Sequence, residues 1–114
     1  DTLIAEFIRE AALEGVRDEL PHSLAVQVEE IIERPRREGD DRPPMFDIHV
    51  NVYVERDSQK AIIIGRKGSR LKQIGTQARA HIEELLGRRV YLDLHVRTAK
   101  DWQSAPKMLG RLGF

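Results

Sequence analysis

Residues 62–74 read Ile62-Ile63-Ile64-Gly65-Arg66-Lys67-Gly68-Ser69-Arg70-Leu71-Lys72-Gln73-Ile74, and the organisation of the rest of the chain follows from this stretch. An apolar run ends at a glycine, two basic residues and a second glycine follow, and a helical pattern begins at once. Two glycines so spaced let the backbone turn sharply between helices and approach another chain with no Cβ in the way. Arg66 and Lys67 put two positive charges on that turn. The first amides of the following helix add donors with partial positive charge. Such a turn suits a phosphate, and the isoleucines before it can floor a groove on which bases lie. Glycine pairs at this spacing also mark ordinary helix–helix turns, so the surroundings carry weight.

Immediately outside the turn, Asp57 or Ser58 can cap a short helix that runs through Ile64. Ser69 to Leu86 forms a longer helix with Leu71, Ile74, Ala78, Ile82 and Leu85 directed inward, and Gly87 ends it. A strand precedes the pair: Phe46, Ile48, Val50, Val52 and Val54 alternate with Asp47, His49, Asn51, Tyr53 and Glu55, so one face is buried. Another strand follows, with Val90, Leu92, Leu94 and Val96 alternating against Tyr91, Asp93, His95 and Arg97.

Farther out, Leu3, Ile4, Phe7, Ile8, Ala11 and Ala12 recur at helical spacing up to Gly15. Leu20-Pro21-His22-Ser23 breaks that pattern, and Leu24, Val26 and Val28 begin a strand that runs to about Ile32. Arg34 to Pro44, with Pro35, Gly39, Pro43 and Pro44, reads as an exposed hairpin-like connection. Trp102 to Leu112 reads as a terminal helix. The predicted order is α, β, β, α, α, β, α. Three strands with one apolar and one polar face each make a sheet covered by helices on one side, a two-layer α+β domain occupying residues 1–114.

The chain has 114 residues, enough for one modest core. Its formal net charge is zero, but the charge is unevenly placed. Residues 1–45 hold 12 acidic and 6 basic side chains, and residues 46–114 hold 7 acidic and 13 basic. Arg56, Lys60, Arg66, Lys67, Arg70, Lys72 and Arg79 cluster around the glycine turn, with Asp57 the one acid among them. The absence of cysteine excludes disulfides and thiolate metal sites. No apolar run reaches the roughly 18 residues of a membrane span. With no charged-then-apolar leader in view, a cytoplasmic setting is the expectation. A start at Asp1, directly on a helical pattern, is expected of a segment taken from a longer protein.

The IIGxxGxxL/I pattern, set between two helices and flanked by two strands from Phe46 to Val96, resembles the KH family. The extra helix and strand before it make the arrangement similar to the type II, bacterial form. Three further segments narrow the likeness: Glu19-Leu20-Pro21-His22-Ser23-Leu24-Ala25-Val26, Glu55-Arg56-Asp57-Ser58-Gln59-Lys60-Ala61-Ile62-Ile63-Ile64-Gly65 and Ala99-Lys100-Asp101-Trp102 look like the C-terminal KH domain of Era GTPases. That resemblance implies single-stranded RNA binding by Lys60, Ile63, Ile64, Gly65, Arg66, Lys67, Gly68, Ser69, Arg70, Leu71 and Ile74. It further implies ribosomal RNA near the three-prime end of the small ribosomal subunit as partner, during subunit assembly. An upstream GTPase domain would carry GTP and Mg, and a peripheral contact with the inner face of the cell membrane is a further implication. Nothing here matches GxxxxGK[ST], so no cofactor and no GTP hydrolysis are expected of the chain itself.

Other readings carry less. A type II KH domain of a ribosomal protein or transcription factor, or a KH-like module for protein contacts, are the alternatives; two glycines and two bases in the loop count against the last. His49 and His95 on two polar strand faces, with Asp93, could form a metal site, but such imidazoles are usually solvated. His22 and Ser23 lack an orienting acid. Trp102 is expected in the core, and Tyr53 and Tyr91 are the aromatic candidates on the outer sheet face. Glu6, Glu10 and Glu14 give the first helix an acidic exterior that repels RNA.

Overall fold

Two parallel strands can be joined only by a crossover, and here the crossover is a hairpin of helices closed by the glycine turn. The structure, a computed structural model, describes residues 2–16 and 24–98. In chain order these form α1 (Thr2–Leu13), β1 (Ala25–Glu33), β2 (Phe46–Tyr53), α2 (Asp57–Ile64), a single 3-10 turn at Arg66–Gly68, α3 (Ser69–Leu86) and β3 (Val90–Arg97). The sheet order is β1-β2-β3. β1 runs antiparallel to β2, while β2 and β3 are parallel and in unbroken register from Phe46 opposite Val90 to Tyr53 opposite Arg97. The order α, β, β, α, α, β is as the sequence predicts. The expected terminal helix, the expected core placement of Trp102 and the His22-Ser23 pair lie outside the described residues.

The inner sheet face meets α1 and α3 across one core. Ile48, Val50 and Val52 of β2 pack with Ile4, Ile8 and Ala12 of α1 and with Ile74, Ala78 and Ile82 of α3, all fully or almost fully buried. The four-residue steps from Ile74 to Ile82 put one stripe of α3 against the sheet. Two residues expected inside are not: Leu3 and Leu85 are exposed, because each lies one position off the buried stripe of its helix. Phe7 covers the opposite edge of that stripe by stacking on the His81 ring at 5.4 Å between centroids.

The strand pattern needs two corrections. The pairing of β1 with β2 shifts between Val28 and Glu30, so a bulge moves the strand's phase by one residue. Val28 and Ile31, not Val28 and Ile32, therefore stand opposite the inward residues Val50 and Ile48. Tyr53 and Asn51, placed on the open face by alternation, are both buried. Tyr53 offers no stacking surface.

The outer face carries a polar network in place of isolated side chains. Asn51 donates to Glu29 at 3.2 Å and accepts from Arg97 Nε at 3.1 Å. His49 and His95 both reach the same Asp93 oxygen at 3.0 Å. Among the described residues no group of three ligands could hold a metal ion; the two imidazoles are used on one carboxylate. Burial of Asp93 opposes its charge, but the hydrogen bonds from His49 and His95 together outweigh it and hold the carboxyl below its ordinary value.

A lowered carboxyl pKa gives stability that is present above the ordinary carboxylate range and is lost as pH falls through the lowered value. Thermal melts should therefore show Asp93→Asn less stable than the parent above the ordinary carboxylate range, with the gap closing as the pH falls below that range. Ile74→Asp would place an unpaired carboxylate in the core and should abolish the cooperative melt followed by circular dichroism.

Candidate nucleic-acid interface

α2 starts after Arg56, where the Gln59 side chain accepts hydrogen bonds from the amides of Glu55 and Arg56, each at 3.0 Å. It ends at Gly65, whose amide donates to Ala61 O at 2.8 Å. The chain then turns with positive φ at three of the four residues from Gly65 to Gly68. Gly65 has φ 73° and ψ −178°, a region open essentially to glycine alone. A Cβ there would run into the Arg70 Cβ and come within 2.9 Å of the Arg70 amide nitrogen. Lys67 is left-handed at φ 56°, ψ 28°, and Gly68 at φ 76°, ψ 9°. Around Gly68 there is open space. The two glycines look alike in sequence, yet one is required by packing and the other by backbone conformation only.

This turn presents Arg66 and Lys67 to solvent, and neither side chain makes an ion pair or hydrogen bond with another described residue. No side chain caps the first turn of α3, because Gly68 stands at the cap position. Unneutralised cations thus sit beside the positive end of an 18-residue helix.

A groove of about 440 Å³ leads away from the turn. One wall is α3, through Gly68, Leu71, Lys72, Gly75, Thr76 and Arg79; the other is β3, through Tyr91, Leu92 and Leu94. The α3 residues recur every three to four positions and form one stripe next to the buried one. Gly75 opens the middle of this wall: a Cβ there would meet only Leu94 Cδ1, at an ordinary 3.8 Å. β3 is the edge strand of the sheet, so among the described residues its outer row of backbone amides and carbonyls has no strand partner beside the groove. Cationic side chains line one wall, while apolar surface and backbone hydrogen-bonding groups line the other.

The residues expected to contact a ligand divide into three groups. Arg66, Lys67 and Ser69 are exposed and Gly65, Gly68, Leu71, Lys60 and Ile64 half-buried, all around the turn and the groove mouth. Ile63 and Ile74 are buried in the core, only 1% exposed; they shape the floor from beneath and offer no surface. Arg70 is turned the other way. Its Nη2 donates to the carbonyls of Ala11, Ala12 and Glu14, at the C-terminal end of α1, where a cation is favoured. Arg70 fastens α1 to α3 and is not a free counter-charge.

Sequence reasoning passed over Gly75 and Thr76, and it placed Tyr91 on the outer sheet face and Leu92 and Leu94 on the inner one without making them a groove wall. The α3 stripe was legible in its spacing from Gly68 to Arg79. The β3 wall was not, since nothing local says that β3 is the sheet edge beside α3.

An α-β-β-α-α-β fold with a glycine-bounded cationic turn and a groove between helix and edge strand defines the type II KH architecture. Residues 19–103 match the KH domain family, and the chain belongs to it. Within that family it is similar over its full length to proteins named GTPase Era, 64% identical to that of Mycobacterium avium and 66% to that of Nocardioides sp.. It spans 36% of the length of these relatives. It also superimposes on a crystal structure of Era in complex with MgGDPNP and nucleotides 1506-1542 of 16S ribosomal RNA, with a TM-score of 0.77 and 43% identity over 97% of this chain and 35% of that one.

The unequal glycines lead to a test by chemical denaturation. Gly65→Ala should lose about 2–3 kcal/mol, because overpacking adds to a disallowed backbone angle. Gly68→Asn should lose less than about 1 kcal/mol, since asparagine tolerates the left-handed region.

Proposed function

We propose that this chain binds single-stranded RNA along the groove between α3 and β3, with the Gly65–Gly68 turn holding the sugar-phosphate backbone. The observation that carries the reading is the pairing of the two walls. The helix wall and turn offer Arg66, Lys67, Lys72 and Arg79 to phosphates; the strand wall offers leucine surface and free backbone groups to bases. A groove of this kind takes about four nucleotides whose bases are unpaired. A-form duplex hides those base edges, so single strands are preferred.

Similarity to Era over the whole chain, and to an Era structure holding 16S ribosomal RNA, supports small-subunit ribosomal RNA near its three-prime end as the ligand. It likewise supports placement of this domain beside a GTPase domain in a longer protein, with GTP and Mg bound there and ribosome assembly as the setting. The role of this chain in that protein is recognition, through charge, shape and backbone donors. No helix among the described residues is long and apolar enough to cross a membrane.

Charge reversal at the turn tests the reading directly. Arg66→Asp with Lys67→Asp should abolish RNA binding while changing stability by no more than about 0.5 kcal/mol, because both side chains are exposed. Retained affinity in a folded variant would place the RNA elsewhere. Binding by the parent chain should weaken with salt at a logarithmic slope of roughly −2 to −3, about −0.7 for each of three to four phosphates. Gly75→Leu probes the other component: a larger side chain would project into the groove from a helix position that disfavours glycine. It should block RNA without lowering the melting temperature, and undiminished binding would show that bases do not lie against α3.

A further inference from the structure

Tyr91 borders the groove beside Leu92 and Leu94, and it is the one exposed aromatic among the described residues, with 49% of its surface open. The other described aromatics are taken up. Tyr53 is buried, Phe7 stacks on His81, and Phe46 lies under the Arg88 guanidinium at 5.2 Å. An open ring next to apolar surface is a place that a second flat π system can cover.

The ring is held from one side. Tyr91 of β3 stands opposite Asp47 of β2, and Asp47 accepts from Arg34 Nε at 2.6 Å. Arg34 Nη1 also reaches the Met45 sulfur at 3.6 Å, and its guanidinium lies over the Tyr91 ring, 5.5 Å from the centroid. A planar cation fixed by a carboxylate is drawn to the π face it covers and restrains the ring. No strand lies beyond β3 among the described residues. The open surface therefore belongs to the opposite ring face, which looks past the sheet edge. A ring restrained before any ligand arrives loses little further freedom when a base stacks on it.

Place along the groove decides which nucleotide this face meets. Residues 87–89 alone join α3 to β3, so β3 runs back along α3 from its C-terminal end. Leu94 is the neighbour of Gly75, and Tyr91, three residues earlier, lies farther from the glycine turn. The exposed Arg79 lines the same end, about 16 Å from Gly68 at 1.5 Å per helical residue. We infer that Tyr91 is a stacking platform for the base of the nucleotide that leaves the groove at the end away from the turn. This deepens the groove reading and rests on it: charge holds the strand at one end, and aromatic surface holds a base at the other. Stacking responds to ring area and not to hydrogen-bond pattern, so a purine is favoured there over a pyrimidine.

The probes are tetranucleotides tiled across nucleotides 1506-1542 of 16S ribosomal RNA, each carrying 2-aminopurine at one position in turn, because stacking quenches its fluorescence. In the best-bound tetranucleotide one terminal position should be quenched on binding, and a purine there should be preferred. Tyr91→Leu should bind about tenfold more weakly, the share of one base–aromatic stack. It should lose the quenching and the purine preference but keep the logarithmic salt slope, since no phosphate contact is removed. Tyr91→Phe should match the parent throughout. A parent complex with no quenched terminal position would overturn the platform, and that measurement needs no substitution to fold. Undiminished affinity in folded Tyr91→Leu would overturn it as well, as would an equal loss in Tyr91→Phe, which would assign the contact to the hydroxyl. In those cases Arg66→Asp with Lys67→Asp would still abolish binding, and the groove reading would stand. If the parent bound no tetranucleotide, or Gly75→Leu bound as well as the parent, the groove reading would fall and this inference with it.

Discussion

The backbone of Gly65 is the constraint on which the rest depends. Its dihedral angles admit glycine alone, and Arg70 stands where a Cβ would be. That close approach brings the end of α2 against the start of α3, and so completes the crossover that lets β2 and β3 lie parallel. The same approach turns Arg66 and Lys67 outward, since residues in so tight a turn have no core to enter. One steric condition thus sets both the topology and the exposure of the cations.

Division of labour between arginines follows from position and not from residue type. Arg70 is spent on the carbonyls closing α1, which fixes the N-terminal helix to the same helix that carries the groove. Arg66 and Lys67, a few positions earlier, remain free. Arg34 pairs with Asp47 while covering Tyr91, and the side chains of Arg36 and Arg37, close by on the same connection, have no partner among the described residues. A count of basic residues treats all of these alike. Only those whose donors are unengaged can neutralise a phosphate, and among the described residues Arg66 and Lys67 are so placed on the glycine turn.

The groove itself exists because β3 is both an edge strand and the neighbour of α3. A sheet edge left unpaired usually invites aggregation. Here it forms a wall facing a cationic helix stripe, and under the proposed function its open backbone groups are what unpaired bases meet. The absence of a side chain at Gly75 widens the groove at its middle. Helix propensity is lower for that choice, which makes sense where the missing side chain is the useful feature.

Much of this was legible in the sequence because it is local. The strand alternation of residues 46–54 and 90–97, the bounds of α3 between Gly68 and Gly87, the glycine turn and its exposed bases all follow from patterns a few residues long, read against helix and strand periods. Tertiary structure decided what depends on distant partners. The bulge after Val28 shifted the phase of β1, burial removed Tyr53 from the outer face, and the α1 carbonyls claimed Arg70. Sheet order alone made Tyr91, Leu92 and Leu94 a groove wall, and only folding brought Arg34 over Tyr91. Local spacing fixes which face a residue occupies, but what lies opposite that face is set by the path of the whole chain.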